Sequence, residues 1–295
     1  MKPPTFAYHR PGSVPEALAL LSEHPGGKPL AGGQSLIPAM NFRLAAPPVL
    51  VDLNGIAALA GVTTVPGGGL RIGAMTRHHT LETDARVAQH APLLAEAMPF
   101  IAHPQIRTRG TIGGSLAHAD PAAELPAVMV ALDATLVLTS QAGERRVGAD
   151  EFFTGLFATA LEPGELLTAI ELPVAPRRSG SAFIELARRH GDYALAGVAV
   201  RVTLGPSGEC ANAAVALFSV GERPVLSAGA ATALRGAAPT AATIAAAAAA
   251  VDRDIDPTSD IHASAAYRRH LAGVLTRRAL QRAFQRAASA PVTEQ

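Results

Sequence analysis

Thr111-Ile112-Gly113-Gly114-Ser115-Leu116-Ala117-His118-Ala119-Asp120-Pro121-Ala122-Ala123-Glu124-Leu125-Pro126 joins a hydroxyl–glycine–glycine–hydroxyl segment to an apolar run. Glycine has no Cβ to hold an anion away from the main chain, so the N–H groups of residues 111–115 read as a loop open to a phosphate. Asp120-Pro121 has the form of an N-cap with proline at the first helical position, which predicts an apolar helix over 122–131. A segment of the same make, Ala31-Gly32-Gly33-Gln34-Ser35, stands about eighty residues earlier, after the short apolar stretch 28–31. One such loop among 27 glycines is most often only a turn. Two suit a ligand with two phosphates, one loop from each half of a domain.

The 295 residues suffice for two domains or one large one, and 48% hydrophobic residues supply a core. A formal charge of +1 with both signs interspersed argues against a nucleic-acid or membrane-surface protein. The arginine pairs at 188/189, 268/269 and 277/278 then read as solvated positions. The single cysteine, Cys210, excludes an internal disulfide, a thiolate zinc site and a cysteine-ligated iron–sulfur cluster held by this chain alone. No apolar signal segment opens the chain and no run of about 18 uncharged apolar residues follows, so no integral membrane segment and a cytoplasmic location are expected.

Ser13-Val14-Pro15-Glu16 reads as a capping box before a short helix, and 49–53 as a strand, making a β-α-β-like unit around the first loop. Residues 70–74 alternate as a half-buried strand, Thr76 offers a cap for a segment around Leu81, and Pro92 starts another helix. Strands follow at 134–139 and 166–173, and 174–181 reads as a domain linker. Beyond it, 194–204 and 211–220 form a predicted antiparallel hairpin, the alanine tract 241–251 a helix, and 260–286 a closing amphipathic helix.

The histidines at 78, 79, 103, 118 and 190 lack the spacing and carboxylate company of a metal site. His118 and Asp120 either touch a ligand or stabilise their own loop. There is no nucleophile elbow, Walker loop or Gly-x-Gly-x-x-Gly after a strand. A redox cofactor that carries its own chemistry is the economical hypothesis, with the protein supplying phosphate cradles and ring contacts.

Residues 31–36, residues 111–126, and Ala187-Arg188-Arg189-His190-Gly191-Asp192-Tyr193-Ala194-Leu195-Ala196-Gly197-Val198-Ala199 resemble, in that order, the flavin motifs of one family. That family comprises the FAD-binding medium subunits of molybdenum hydroxylases, including carbon monoxide and xanthine dehydrogenases. The resemblance runs the whole chain. It implies an α+β fold: a two-subdomain FAD-binding domain of the vanillyl-alcohol-oxidase type over 1–175, with subdomains of about 1–56 and 57–175. A C-terminal α/β domain with an antiparallel sheet over 176–295 completes it. It also implies that Gly32, Gly33, Gln34, Ser35, Thr111, Gly113, Gly114 and Ser115 surround the pyrophosphate and ribityl chain, with Ala31, Leu36, Ala117 and Asp120 in the same cofactor-binding set. Glu124 falls on the adenosine side, Ile101 near the adenine, Leu167 at a backbone contact to the isoalloxazine and Tyr193 beside the ring. The family implies two partners, a large subunit with the molybdenum cofactor and a small iron–sulfur subunit, assembled as a dimer of heterotrimers. Ser115 and Ile184 stand where the xanthine dehydrogenase branch has asparagine and lysine, which speaks against an NAD-type acceptor. A stand-alone FAD-dependent oxidoreductase of the same fold and a non-redox nucleotide-binding scaffold are the other readings.

Overall fold

The computed structural model describes residues 1–289. Three short strands, β1 (Ala7–His9), β2 (Lys28–Leu30) and β3 (Val49–Asp52), form a parallel sheet in the order β1-β3-β2. Parallel neighbours need crossovers. The helices Val14–Glu23 and Leu36–Asn41 provide them. Ser13 Oγ accepts from Glu16 N at 3.3 Å, as its cap position predicts, while Glu16 reaches back to Gly12 N at 2.8 Å. Ala17 and Leu18 close a small core against Val49, Val51 and Leu53.

The second sheet is antiparallel, in the order β4-β5-β10-β6-β7, built from β4 (Val62–Thr64), β5 (Leu70–Gly73), β6 (Thr135–Ser140), β7 (Gly143–Gly148) and β10 (Leu166–Leu172). A small hairpin, β8 (Phe153–Gly155) with β9 (Ala158–Thr159), lies beside it. The third sheet runs β11-β12-β13-β14, from β11 (Ser179–Ala187), β12 (Ala194–Leu204), β13 (Cys210–Phe218) and β14 (Val225–Leu226). β12 and β13 are the antiparallel hairpin expected from their pattern. β11 was hidden in the expected linker: it starts at Ser179, so only 173–178 connect the second sheet to the third.

The helix Glu124–Leu132 lies between these two sheets, and each of its residues is buried. A helix apolar all round has no face to offer water and belongs in a core. Its neighbours include Leu138, Leu167 and Ile170 of the second sheet and Phe183, Ala199 and Phe218 of the third. The other face of the third sheet is covered by the helices Ala228–Leu234 and Ala265–Ser289, and the alanine-rich helix Ala241–Ala250 packs on both of them; the alanine-rich and closing helices are those expected from sequence. Asp260 lies before the closing helix and pairs with Arg268 at 2.7 Å. Arg268, read as solvated, is instead 8% exposed and donates to the Leu195 carbonyl at 2.6 Å, bolting the helix to β12.

Three local expectations are corrected. The Glu124 helix starts two residues later than the sequence suggested, with Asp120 Oδ1 accepting from Ala122 N at 2.9 Å in a turn ahead of it. Started at Pro121, the helix would need an N–H from Pro126 in its interior; started at Glu124, it puts that proline in the first turn, where no donor is required. Residues 112–115 are not a loop but open the helix Ile112–His118, whose N-cap is Thr111. Thr76 caps no helix: its hydroxyl is spent on Gly61 N and O, at 2.9 and 3.0 Å.

The closing helix approaches β11 so closely that a Cβ on Gly180 would lie 2.1 Å from the Ala283 carbonyl oxygen. Gly180→Ala is therefore expected to lower stability by about 1–3 kcal/mol through overpacking. A urea midpoint equal to the wild type would contradict this contact.

Candidate flavin site

The first glycine segment turns out of β2 and enters the helix Leu36–Asn41. Gly33 takes φ +72°, a left-handed conformation that favours glycine, and its carbonyl accepts from Ile37 N at 3.1 Å. The N–H groups of Gly33, Gln34, Ser35 and Leu36 have no acceptor in the protein among the described residues, and Ser35 makes no side-chain cap bond. Four successive free donors in one turn are the kind of group that can face an anion. The Gln34 side chain folds back to the Gly32 carbonyl at 3.2 Å, holding the turn.

The second segment works differently from expectation. Ile112 N bonds Thr76 O at 3.1 Å, Gly113 N bonds Ala74 O at 2.8 Å, Gly114 N bonds Thr111 Oγ1 at 3.1 Å, and Ser115 N bonds Thr111 O at 3.1 Å. Its donors are used inside the protein. The glycines serve close approach instead. A Cβ on Gly113 would sit 2.5 Å from Ala74 Cβ, and one on Gly114 would sit 2.8 Å from Thr111 Oγ1 and 3.3 Å from Ala31 Cβ. Gly32, on the first segment, would drive a Cβ to 2.4 Å from the Arg109 carbonyl oxygen. The two segments therefore meet, as the pairing of the motifs implied: Gly32 lies against Arg109 and Gly110, and Gly114 against Thr111 and Ala31, while Gly113 makes room for Ala74.

A polar chain that sequence reading missed holds them together. Asn54 donates to the Ala31 carbonyl at 2.9 Å and to Asp52, and Asn54 Oδ1 accepts from Arg77 Nη2 at 2.5 Å. Arg77 also donates to the Arg109 carbonyl, and Tyr8 donates to Asp52 at 2.5 Å. Residues of the first sheet are thus tied to the strand-like bridge between Arg77 and Thr111. Desolvation first, and then the neighbouring Arg109 charge, lower the Arg77 pKa; two guanidinium groups beside the turn suit a dianion. These residues gave no signal because each is ordinary alone and forty or more residues of chain separate parts of the network. His78, buried against Gly110, is lowered to about 4 by burial and is a neutral packing group.

Asp120, Glu124 and Tyr193 form another cluster. Glu124 is 8% exposed, and burial pushes its carboxyl up to about 7, with Asp120 adding to the shift. The Tyr193 ring is 65% exposed, while its hydroxyl is raised to about 12 by desolvation first and then by Asp120. Tyr193 lines a cleft of about 440 Å³ bordered also by Asp120, Pro121 and Ser219. Ile101 is buried in a corner that Arg107 builds by donating to its carbonyl at 3.0 Å and to Glu82 at 2.8 Å. The Gly191 turn packs on Ala102 and His103, so residues 188–193 meet that corner. Leu167 is buried in β10; pairing with β5 begins only at Ala169, so the Leu167 main chain has no strand partner on that side. Ala117 is exposed on the outer side of its helix, Leu36 is half-buried, and the His118 ring lies tilted against Phe157 with centroids 5.1 Å apart. Among the described residues no cluster of histidine, cysteine or carboxylate could hold a metal, and no helix is long and apolar enough to cross a membrane.

The family described as "FAD binding domain in molybdopterin dehydrogenase" matches residues 4–175. The chain belongs to the FAD-binding medium subunits of the molybdenum hydroxylase family. A second family, "CO dehydrogenase flavoprotein C-terminal domain", matches 181–283. The chain is 44% identical to the 6-hydroxypseudooxynicotine dehydrogenase complex subunit alpha of Paenarthrobacter nicotinovorans, over 97% of each. It is 43% identical to the carbon monoxide dehydrogenase medium chain of Afipia carboxidovorans, over 97% of this chain and 99% of that one. The solved carbon monoxide dehydrogenase of Hydrogenophaga pseudoflava lacking the Mo-pyranopterin moiety matches with a TM-score of 0.94 and 41% identity, covering 97% of this chain and 99% of that one. The cofactor of this family is FAD, and the free donors at 33–36 are of the kind its pyrophosphate requires.

Gly114→Val is expected to push Thr111 off its cap and Ala31 off the second segment, cutting flavin content per purified chain at least severalfold while the far-UV spectrum is kept. Arg77→Met removes the link between segments; a loss of about 1.4 kcal/mol, or tenfold in FAD affinity, is expected by flavin titration. Wild-type retention in both variants would contradict the role given to the joined segments.

Proposed function

We propose that this chain is the electron-relaying flavoprotein of a three-subunit molybdenum hydroxylase, taking electrons from a small iron–sulfur subunit and passing them to an external acceptor. The substrate would be oxidised at the molybdenum cofactor of a large subunit, and the whole would assemble as a dimer of heterotrimers. Residues 1–175 would be the FAD-binding part, in subdomains of about 1–56 and 57–175, with 176–295 as the C-terminal domain. The observation that carries this reading is the run of four unpaired backbone donors at 33–36, pressed against the second glycine segment.

Within that reading, Ala31, Gly32, Gly33, Gln34, Ser35 and Leu36 bind the pyrophosphate through the main chain. Thr111, Gly113, Gly114 and Ser115 shape the opposite wall, with Ala117 and Asp120 along the same side. Glu124 and Ile101 serve the adenosine and adenine end, and Leu167 and Tyr193 the ring. Bound there, FAD supplies the exchange of electrons between an iron–sulfur partner and the acceptor. The chain's own residues bind, orient and shield it, which is why no nucleophile or metal cluster accompanies the site. The missing lysine at Ile184 disfavours an NAD-type acceptor.

Two measurements test this. In the assembled complex, substrate is expected to bleach the flavin, whereas the isolated chain with the same substrate keeps its oxidised spectrum; bleaching of the isolated chain would support a stand-alone oxidoreductase instead. Tyr193→Ala is expected to alter the spectrum or reduction potential of the bound flavin. An identical spectrum and potential would remove Tyr193 from the ring.

A further inference from the structure

A cavity of about 340 Å³ lies where the second sheet hands over to the third, and neither glycine segment lines it. Leu172 at the end of β10, Pro173 and Ala175 of the connection, and Ser181 near the start of β11 border it. Pro92, which opens the helix Pro92–Ala97, and Leu132, the last residue of the Glu124 helix, border it too. The nine residues of the Glu124 helix, rising about 1.5 Å each, put Leu132 about 12 Å along the axis from Glu124. The cavity is therefore at the end of that helix away from the flavin site. Its size falls in the range of about 300–1,000 Å³ of small-molecule pockets, which favour such junctions.

Arg201 of β12 lines the same cavity. It stands opposite Ser181, on the side of the sheet that carries Ala199 into the core around the Glu124 helix. Among the described residues its guanidinium makes no hydrogen bond and no ion pair, although the Glu124 helix ends beside it. Burial works against its charge first, and Asp133, too far for an ion pair, offsets that in part. A half-buried guanidinium offers five donors in a planar fork, and here the protein meets none of them. The other charges are matched. Arg286 donates to Glu96 at 2.5 Å and to the Ser181 carbonyl at 2.6 Å, and Arg282 reaches Glu96 at 3.4 Å. His90 is the remaining titratable group on the lining. Arg201, Arg282 and Arg286 against Glu96 and Asp133 leave one positive charge over, and it is unspent at Arg201.

We propose that this cavity is a second ligand site, for a small monocarboxylate whose carboxylate pairs with Arg201 and whose apolar body lies against Leu132, Leu172, Pro92 and Pro173. One net positive charge selects a monoanion, and the planar fork selects a carboxylate, which takes two parallel N–H donors. The apolar walls give the body of the acid a surface to bury. The site is separate from the flavin and needs none to fill.

The probe is benzoate, titrated into the full chain and followed by calorimetry. One benzoate per chain is expected, with a Kd of about 1 mM or tighter, and benzamide, the same shape without the charge, is expected to bind about tenfold more weakly or worse. Arg201→Met is expected to weaken benzoate about tenfold or more. Without benzoate, its thermal midpoint is expected to be unchanged or higher, because the cation removed is one that no protein group pairs. A lower midpoint with benzoate binding kept would make Arg201 a brace for the end of the Glu124 helix, and overturns the proposal. Ala175→Phe keeps the arginine and fills the cavity from the connection; it is the second arm and is expected to weaken benzoate by a similar factor. Absence of saturation by about 10 mM benzoate overturns the proposal. So does equal binding of benzoate and benzamide, or benzoate binding kept in both variants, as it would be on the free donors at 33–36.

Discussion

Asn54 gives its amide to the Ala31 carbonyl and takes the Arg77 guanidinium on its oxygen, while Arg77 reaches the carbonyl of Arg109. With these few bonds the first sheet and the second subdomain are held so that two glycine segments touch. Gly32 is glycine because Arg109 and Gly110 lie against it, and Gly114 because Thr111 Oγ1 and Ala31 do. Once the contact is made, the donors at 33–36 stay free for an anion while those at 112–115 are consumed in fixing the wall opposite. The two segments are therefore asymmetric: one keeps its donors free and the other spends them inside the protein.

The Glu124 helix extends this arrangement into the C-terminal part of the chain. Because it is apolar on every side, it is buried between the second and third sheets, and the core that contains it also contains Phe183, Ala199 and Phe218. The third sheet thus shares a core with the second. Its turn at 188–193 brings Tyr193 next to Asp120 and packs on the corner at Ala102, which Arg107 stiffens.

Much of this was legible in the residues themselves. The capping at Ser13, the hairpin at 194–220, the alanine helix and the closing helix follow local rules of period and propensity, and local rules act within a few residues. The glycine pairs advertised a close approach, but not which of two kinds. Thr111 decides it, by capping a helix where a loop had been expected. The late start of the Glu124 helix is the work of Pro126, whose missing donor counts only once the competing start is considered. Long-range partners were invisible. Nothing near Arg77 in the chain announces Asn54, and nothing near Arg268 announces the Leu195 carbonyl.

The most direct measurement is the absorption spectrum of the purified chain, with identification of whatever is released on denaturation. Non-covalent FAD, one per chain, is the result that joined glycine segments and four free donors predict. A colourless chain that takes up no FAD on reconstitution would contradict it, and would leave the fold as a scaffold without a redox role.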